Sequence, residues 1–505
     1  MLKRILNSPK TINVLQFLGI FFVTSFVFYF LRKNYLPYYT DNNDSFYHVT
    51  MAKMLAQNNL LIKEFPYFQF SFLKDNFVDW HYLFHLILIP FIKLFGEVCG
   101  PKLLGTILVG GIFSIIFLIL KNINLKFSFF YTLGLFAILP ADFFVRMTYI
   151  RAPVLSLFLL VLALYFLVKQ RPVLLAITIF FYVWAYYLMS FAIFIPIVAY
   201  LMIEILRGNK VDLKLLFWPL GGLMAGLIIN PFFPDNLSFL LVLLQASTNE
   251  RPYAGVELFS PEAWYWFYSS LMVIFLFAGG LIFALIKGLK LSWQTIVLVI
   301  LAFFFLVLQW KSIRFYEYAP LIVGLAGTVL LASYFEETLL KIKSNWKKLE
   351  TWVLIIFMAI YIQEGIFHGI WEYWTLDKKI NNYGSQVIQI KESADYLNKN
   401  SSRGEIVFAS WGLFPQLFYF GQKNYYIVGL DPVFLEIYRK DLLEKYIDIT
   451  MNPESTLDLK IIKDEFQTKW VVVTPGQTSL KEKLLKRTDI FKLEFDAPYS
   501  VFRVL

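Results

Sequence analysis

Carboxylates and histidines are concentrated in residues 33–102, directly after the first apolar run. Three of the four histidines lie there, in the stretches "TDNNDSFYHVTMAKM" and "VDWHYLFH". His81 and His85 are four positions apart, which places both imidazoles on one face of a helix, with Asp79 at its start. Carboxylates with imidazoles predict a divalent cation, Mn²⁺ or Mg²⁺ rather than a structural Zn²⁺. The alternative is that these groups are solvated loop residues or histidines at the membrane interface.

Arginines stand beside apolar runs in two further loops. "PADFFVRMTYIRAP" carries Arg146 and Arg151, and "WKSIRFYEYAP" carries Arg314. A planar guanidinium group matches two phosphate oxygens at once, so these side chains predict a phosphate-binding site. The alternative is that each arginine extends to the lipid head groups and anchors the end of a helix.

Membrane-spanning helices must position these polar groups, because the composition is that of a polytopic membrane protein. Of 505 residues, 58% are hydrophobic, 19% aromatic and only 16% charged, whereas soluble domains carry about 25% charged residues. A span needs roughly 20 apolar residues, and we expect about 11–13 such helices in a multi-pass protein of the plasma membrane. The candidate runs are residues 11–32, 103–121, 126–140, 153–169, 172–186, 189–206, 215–231, 264–286, 292–309, 318–335 and 351–371.

Short basic loops set the orientation of these spans. The segment "HYLFHLILIPFIKLFG", residues 81–96, is short, carries two histidines and is interrupted by Pro90. If it does not cross, the amino terminus and the loops "KNINLK", "KQR", "RGNKVDLK", "KGLK" and "KIKSNWKK" all lie on the cytoplasmic side, as the positive-inside rule requires. We therefore predict that this segment is re-entrant or interfacial. The predicted external regions are residues 33–102, 141–152, 232–263 and 310–318 and the tail after about residue 372.

Charge and cysteine content exclude two other classes. The net charge of +10 comes largely from the basic loops between spans, so nucleic acid is not an expected partner. The single cysteine, Cys99, excludes a disulfide framework and a multi-cysteine metal site, and we expect it to be buried.

The composition changes near Trp374, after which helix-like stretches alternate with short β-rich runs. The helix-like stretches are "SQVIQIKESADYLNK" and "LEIYRKDLLEKYIDI", and the β-rich runs are "EIVFAS", "NYYIVGL", "KWVVVTP", "FKLEF" and "SVFRVL". We predict a transmembrane domain of residues 1–374, with a large first external loop at 33–102, and a soluble external α/β domain of residues 375–505.

The order of these loops resembles the catalytic subunit of oligosaccharyltransferase, a C-fold (GT-C) membrane glycosyltransferase that moves a lipid-linked glycan onto asparagine. "DSFYHVTMAK" is similar to the family's first-loop motif, which implies a metal-binding and acceptor-activating role for Asp44 and a substrate-binding role for His48. "STNERP" resembles its Ser/Thr-x-x-Glu motif, which implies a catalytic Glu250. "RFYEYAP" resembles the stretch whose arginine faces the lipid diphosphate, here Arg314. Trp411, also implied in substrate binding, lies where the family has its Trp-Trp-Asp-Tyr-Gly signature.

Two stretches depart from the family pattern. The second loop of the family ends in an Asp-x-Asp-type pair just beyond an arginine, but "RMTYIRAPVLS" contains no carboxylate. The candidate metal ligands beside Asp44 are therefore Asp79, His81 and His85, with Asp142 a weaker candidate. After Trp411 the chain continues with Gly-Leu-Phe, so the stretch that in the family reads an Asn-x-Ser/Thr acceptor is missing.

The resemblance implies transfer of a sugar or glycan from a polyprenyl phosphate or diphosphate donor in the membrane to an external acceptor, a polypeptide or a glycan. An enzyme that moves one sugar from polyprenyl monophosphate to protein hydroxyls, lipid or cell-wall polymer is an open alternative, as is a transporter or flippase. A transporter would have interrupted spans with ionisable residues near the midplane. Here the spans are nearly free of charge and the polar groups gather at one face.

Overall fold

Long apolar helices account for most of the chain before residue 341. In the computed structural model the described residues are 8–33, 44–248, 253, 255–340 and 386–505. The predicted span 351–371, the predicted domain boundary at 374/375 and Glu250 lie outside them.

The helices are α1 (Pro9–Lys33), α2 (Asp44–Gln57), α3 (Tyr82–Asn122), α4 (Ser128–Ile138), α5 (Ala141–Thr148), α6 (Ala152–Val168), α7 (Pro172–Ala185), α8 (Tyr187–Ser190), α9 (Phe194–Leu206), α10 (Lys214–Ile228), α11 (Asp235–Thr248), α12 (Ala263–Ser269), α13 (Leu271–Ile286), α14 (Trp293–Lys311) and α15 (Ala319–Leu340). Short 3-10 turns lie at Phe72–Lys74, Phe191–Ile193, Val256–Leu258 and Ile313–Glu317.

Each predicted span from 11–32 to 318–335 coincides with a helix or a helix pair. A backbone that crosses lipid must satisfy its hydrogen bonds internally, and a helix does so. Pro153 and Pro172 lie in the first turns of α6 and α7, where the N–H that proline lacks would have no partner within the helix. Within the described ranges, four helices are long and apolar enough to cross a membrane singly, and up to six spans result if the bent pairs α4–α5 and α12–α13 count as one each. The predicted helical membrane fold is confirmed.

Helix α3 is interrupted at Gly96, whose φ of 81° and ψ of 169° are not helical. A positive φ carries no steric cost for glycine, which explains the break at this residue. The part before it, residues 82–95, is about 21 Å long, shorter than the roughly 30 Å hydrocarbon core. This part corresponds to the segment predicted not to cross, and its re-entrant or interfacial position stays a prediction. Cys99 lies just after the break and is exposed, so the prediction that it is buried is wrong.

The chain divides into two compact units. Unit 1 contains Met1–Asn34, Pro101–Asn230 and Val256–Asp377, and unit 2 contains Tyr35–Gly100, Pro231–Gly255 and Lys378–Leu505. In unit 1, helices approach closely through small residues: a Cβ on Gly222 of α10 would lie 2.3 Å from the carbonyl oxygen of Ala176 in α7. Small residues at contacts are a common way to pack helices in lipid, where burial from water cannot drive association.

Unit 2 is built on a mixed sheet, five-stranded in its described part. Its elements after residue 385 are the helical residues 386–400 (α16), β1 (Ile406–Ala409), α17 (Phe414–Phe420), β2 (Tyr425–Tyr426), α18 (Val433–Met451), α19 (Lys460–Asp464), β3 (Trp470–Val473), α20 (Thr478–Lys486), β4 (Phe491–Phe495) and β5 (Ser500–Val504). The strand order is β2-β1-β3-β5-β4, with β1 parallel to β2 and β3, and β5 antiparallel to β3 and β4. Each β-rich run predicted from the sequence forms one of these strands, and the α/β character of the tail is confirmed. Phe68, from the first predicted external loop, bridges to Tyr426 at the β2 edge.

Candidate functional site

Three buried side chains link helices α2 and α3 in unit 2. His85 Nδ1 lies 2.7 Å from Asp79 Oδ2, and His85 Nε2 lies 2.7 Å from His48 Nδ1. The residues are almost inaccessible, with exposed fractions of 2% for Asp79, 0% for His85 and 4% for His48. We call Asp79, His85 and His48 the histidine chain.

The histidine chain ties one face of helix α2 to the first turn of α3. An ionised Asp79 only accepts hydrogen bonds, so Nδ1 of His85 carries a proton. With both rings neutral, Nε2 of His85 then accepts from Nδ1–H of His48. The other oxygen of Asp79, Oδ1, accepts from the backbone N–H of His81 at 3.1 Å. Asp44 is four positions before His48 in α2 and so shares its face. By fixing His48, the histidine chain also fixes the face that carries Asp44.

The predicted metal ligands Asp44, Asp79, His81 and His85 are only partly brought together. Both ring nitrogens of His85 are engaged within the histidine chain, and the centroid of the His81 ring lies 5.3 Å from that of His48. Among the residues that the structure describes, no three His, Cys, Asp or Glu side chains are grouped to hold a metal ion. This arrangement does not fit a cation, and Mn²⁺ or Mg²⁺ stays a prediction.

Three arginines from separate segments meet in unit 1. Arg146 is in the last turn of α5, Arg151 directly precedes α6, and Arg314 lies in the 3-10 turn before α15. They surround the carboxylates of Glu257 and Glu317. We call these five side chains the arginine cluster. The three arginines that the sequence singled out one by one for phosphate binding thus form one group.

Glu257 is the centre of the arginine cluster. Arg151 donates from both terminal nitrogens, at 3.0 Å to Oε2 and 3.1 Å to Oε1, and Arg314 donates to Oε1 at 2.7 Å. Arg146 Nη1 lies 3.6 Å from Oε2. Burial by itself raises the pKa of the Glu257 carboxyl, but the charges of the three arginines outweigh it and hold that pKa well below its usual range. Glu257 is therefore an ionised and strongly held anion.

Glu317 is the more deeply buried carboxylate of the arginine cluster. Its side chain is 1% exposed, whereas that of Glu257 is 23% exposed. Oε1 accepts from Arg146 Nη1 at 3.2 Å and lies 3.6 Å from Arg151 Nη1. Burial raises the pKa of the Glu317 carboxyl, and the two arginines offset this only in part. Glu317 is a fixed partner of Arg146 and Arg151, out of contact with solvent.

The backbone around Ser312 explains why Glu257 and Arg314 meet. The Ser312 hydroxyl accepts from the backbone N–H of Arg314 at 3.3 Å and donates to the carbonyl of Glu257 at 2.8 Å. The backbone N–H of Ile313 donates to the carbonyl of Phe259 at 3.1 Å. These bonds tie residues 257–259 to the turn after α14, so the Glu257 backbone is anchored whereas its side chain is partly exposed.

The remaining predicted site residues have other surroundings. Asp142, the weaker candidate ligand, accepts from the Tyr265 hydroxyl at 2.9 and 2.8 Å. Trp411 lies in a 3-10 turn after β1 and packs against the core of unit 2. Glu250 lies outside the described residues.

The sequence interpretation missed Glu257 and Glu317. Each is a lone carboxylate among apolar and aromatic neighbours, in "AGVELF" and "RFYEYAP", near the end of a predicted span. A carboxylate in such a setting is costly unless it is paired, and this was the signal that could have identified both residues as partners of the loop arginines.

No protein-family model and no curated protein matches this sequence. Several solved structures do match. The oligosaccharyltransferase of Archaeoglobus fulgidus in the apo form is 14% identical with a TM-score of 0.66, over 91% of this chain and 70% of that chain. ArnT from Cupriavidus metallidurans bound to undecaprenyl phosphate is 13% identical with a TM-score of 0.56, over 96% and 97%. The mycobacterial arabinofuranosyltransferase AftD is 12% identical with a TM-score of 0.58, over 96% and 40%.

These three structures are of GT-C membrane glycosyltransferases. At this level of identity the likeness establishes the fold and not the reaction. The long apolar helices agree with it, since several in the described part of the chain are long and apolar enough to cross a membrane. The chain is an integral membrane protein with the fold of the C-fold, or GT-C, membrane glycosyltransferases, and the resemblance seen in its sequence is confirmed at the level of the fold.

Proposed function

We propose that this protein is a membrane glycosyltransferase that moves a sugar or glycan from a polyprenyl phosphate or diphosphate lipid to an acceptor on the external face. The observation that carries this proposal is the arginine cluster, in which three guanidinium groups converge within a GT-C fold. Guanidinium groups at helix ends suit the phosphate of a membrane-anchored donor. AglB of Archaeoglobus fulgidus in complex with a dolichol-phosphate, and ArnT bound to undecaprenyl phosphate, support a lipid phosphate as the ligand.

In the proposed reaction, a nucleophilic atom of the acceptor attacks the anomeric carbon of the donor sugar. The bond between that carbon and the lipid phosphate oxygen breaks, and its electron pair stays on the phosphate. Arg146, Arg151 and Arg314 stabilise this developing charge, since preorganised cations stabilise charge that appears in a transition state. The proton of the acceptor goes to a carboxylate, for which we propose Asp44, with Glu250 assisting.

A polypeptide is the acceptor that we propose first, because one structure of the Archaeoglobus fulgidus oligosaccharyltransferase holds a tethered acceptor peptide containing the NVT sequon. A second candidate is transfer of one sugar from a polyprenyl monophosphate to a hydroxyl of protein, lipid or wall polymer. The nearly complete mutual coverage with ArnT favours this second candidate. In either reaction we propose that Trp411 contacts the substrates, and that the substrate-binding role implied for His48 is exerted through the face of α2 that it shares with Asp44, since His48 is 4% exposed.

The test is to incubate the purified protein with extracted polyprenyl-linked glycans and to identify the product by mass spectrometry. Separate monophosphate and diphosphate donors, each with peptide and glycan acceptors, distinguish the two candidates. Arg314→Ala should be strongly impaired, whereas Arg207→Ala, which removes an exposed arginine after α9, should behave like the wild type. A folded wild-type protein that transfers sugar from neither donor would exclude the proposed function.

An external reaction requires the predicted orientation, with the C-terminal domain outside. Reporter fusions after residues 124, 209 and 345 should read cytoplasmic, and fusions after residues 255 and 400 should read external. A consistent reversal after residue 100 would contradict the orientation and the external site together.

A further inference from the structure

We propose that the Glu257 carboxylate occupies the position of the donor lipid's phosphate and leaves it when the lipid binds. Glu257 would then set the affinity for the lipid by competing with its phosphate. This inference rests on the proposed function and goes further, because it assigns the phosphate position within the arginine cluster and a residue that tunes its occupancy.

The hydrogen bonds of Glu257 are those that a phosphate would make. Two come from Arg151 in a two-pronged arrangement and one comes from Arg314. Guanidinium groups bind carboxylate and phosphate oxygens with the same geometry. The Nε of Arg314 is also buried and has no hydrogen-bond partner among the described residues. The arginine cluster therefore retains a donor that the two oxygens of Glu257 do not use, and a phosphate has additional oxygens to accept from it.

The exposure of the arginine cluster shows which carboxylate can be displaced. Among the arginines, Arg314 is the most accessible, with 32% of its side chain exposed against 12% for Arg146 and 6% for Arg151. Glu257, bonded to Arg314, is likewise partly exposed, whereas Glu317 is buried. Because the Glu257 backbone is held by Ser312, the side chain can rotate away while residues 257–259 stay in place.

The charges also favour exchange over permanent pairing. The three guanidinium groups outnumber the two glutamate side chains by one. If Glu257 turns away, at least two positive charges are left uncompensated, which suits an anionic lipid phosphate such as an isoprenyl monophosphate, a monoester of about −1.5 to −2 at neutral pH. The competing explanation is that Glu257 only neutralises the arginines and never leaves them.

Binding of a short-chain isoprenyl monophosphate to the purified full-length protein separates these explanations. The apparent Kd is the intrinsic Kd divided by the fraction of molecules with an open site, so weakening the competitor by Glu257→Gln should tighten binding about tenfold or more. Glu262→Gln, which removes an exposed charge from the same loop, is the matched control and should leave Kd unchanged. Inorganic phosphate is the second probe. If Glu257→Gln lowers the Kd for both probes, the site recognises the phosphate group alone. If it lowers the Kd only for the isoprenyl probe, the site recognises a lipid-linked phosphate.

A second variant keeps the test independent of folding. Glu257→Asp retains the charge but shortens the side chain by one methylene, so it should also bind the probe more tightly than the wild type. A Kd at or above the wild-type value in both folded variants would overturn the proposal, and so would failure of both variants to fold, since Glu257 would then be an indispensable counter-ion. If Arg314→Ala binds the probe as well as the wild type does, the arginine cluster is not the lipid site, and the role proposed for it in transfer fails as well.

Discussion

The arginine cluster and the histidine chain both consist of ionisable side chains withdrawn from water, but they differ in what they leave available. In the histidine chain no member is more than 4% exposed, and both ring nitrogens of His85 are used internally. In the arginine cluster the exposed fraction rises from 1% at Glu317 to 32% at Arg314. A closed network of this kind holds helices in place, whereas an accessible one can exchange a partner for a ligand. The two networks therefore differ in solvent exposure and in how fully their hydrogen-bonding groups are paired, more than in residue type.

Asp44 offers the sharpest test of this distinction, because it shares a helix face with His48 but is not a member of the histidine chain. Asp44→Ala is expected to lower transfer by about 10²- to 10⁴-fold, the usual contribution of a general acid or base, with little change in the thermal midpoint. Transfer and thermal unfolding should be measured on the same preparation. Asp75→Ala, which removes an exposed carboxylate before α3, is the control and should retain activity. Wild-type transfer by Asp44→Ala would show that Asp44 has no role in activating the acceptor.

Arg314 tests whether the accessible side of the arginine cluster binds the donor. A charged hydrogen bond to phosphate contributes about 1.5–3 kcal/mol, so Arg314→Ala should lower the specificity constant roughly ten- to hundredfold. Arg314→Lys should recover only part of this loss, because an ammonium keeps the charge but not the two-pronged geometry. If lysine serves as well as arginine and alanine affects only protein yield, Arg314 is a membrane anchor.

His85 tests the structural role of the histidine chain. His85→Ala leaves the Asp79 carboxylate buried without its ring partner, which should cost about 1–3 kcal/mol of unfolding free energy. Transfer should fall as well, because the face of α2 that carries Asp44 loses its support. His81→Ala is the comparison for stability: its backbone N–H still donates to Asp79 and the ring pair of Asp79 and His85 stays intact, so its thermal midpoint should fall less than that of His85→Ala. Equal midpoints for both variants would contradict a structural histidine chain.

The smallest effect is expected from chelation. If the predicted Mn²⁺ or Mg²⁺ assists transfer, EDTA should lower the rate. His81→Ala should lower the rate as well, and added Mn²⁺ should partly restore the activity of that variant. The thermal midpoint should not change on chelation, because hydrogen bonds close the histidine chain without an ion. A rate that resists chelators would remove the metal from the reaction. A lower midpoint after chelation would show that the histidine chain opens to bind an ion.

Local patterns made much of the fold predictable. Apolar runs became helices and β-rich runs became strands, because the pattern of a segment constrains its own hydrogen bonding. The spacing of His81 and His85 indicated a shared helix face, but α3 begins at Tyr82. The ring of His85 bonds to the Asp79 side chain, whereas His81 donates to it from its backbone N–H. That difference depends on packing against α2, which no local pattern contains.

The arginine cluster shows where sequence reasoning ends. Arg146, Arg151 and Arg314 were each identified by residue type and position, yet their convergence depends on how α5, α6 and the turn before α15 pack. Motif similarity led to Glu250, whereas the carboxylate that the arginines hold is Glu257, in a 3-10 turn that has no periodic pattern.

The unequal burial of Glu257 and Glu317 has a consequence for turnover. Once the sugar has moved, the lipid phosphate carries more negative charge than the donor did, and three guanidinium groups would release it slowly. Glu257, anchored through Ser312, stays nearby at a high effective concentration and can retake its hydrogen bonds one at a time as the lipid departs. Product release often limits the rate of an enzyme. Here the same side chain that delays the entry of the donor would hasten the exit of the product lipid.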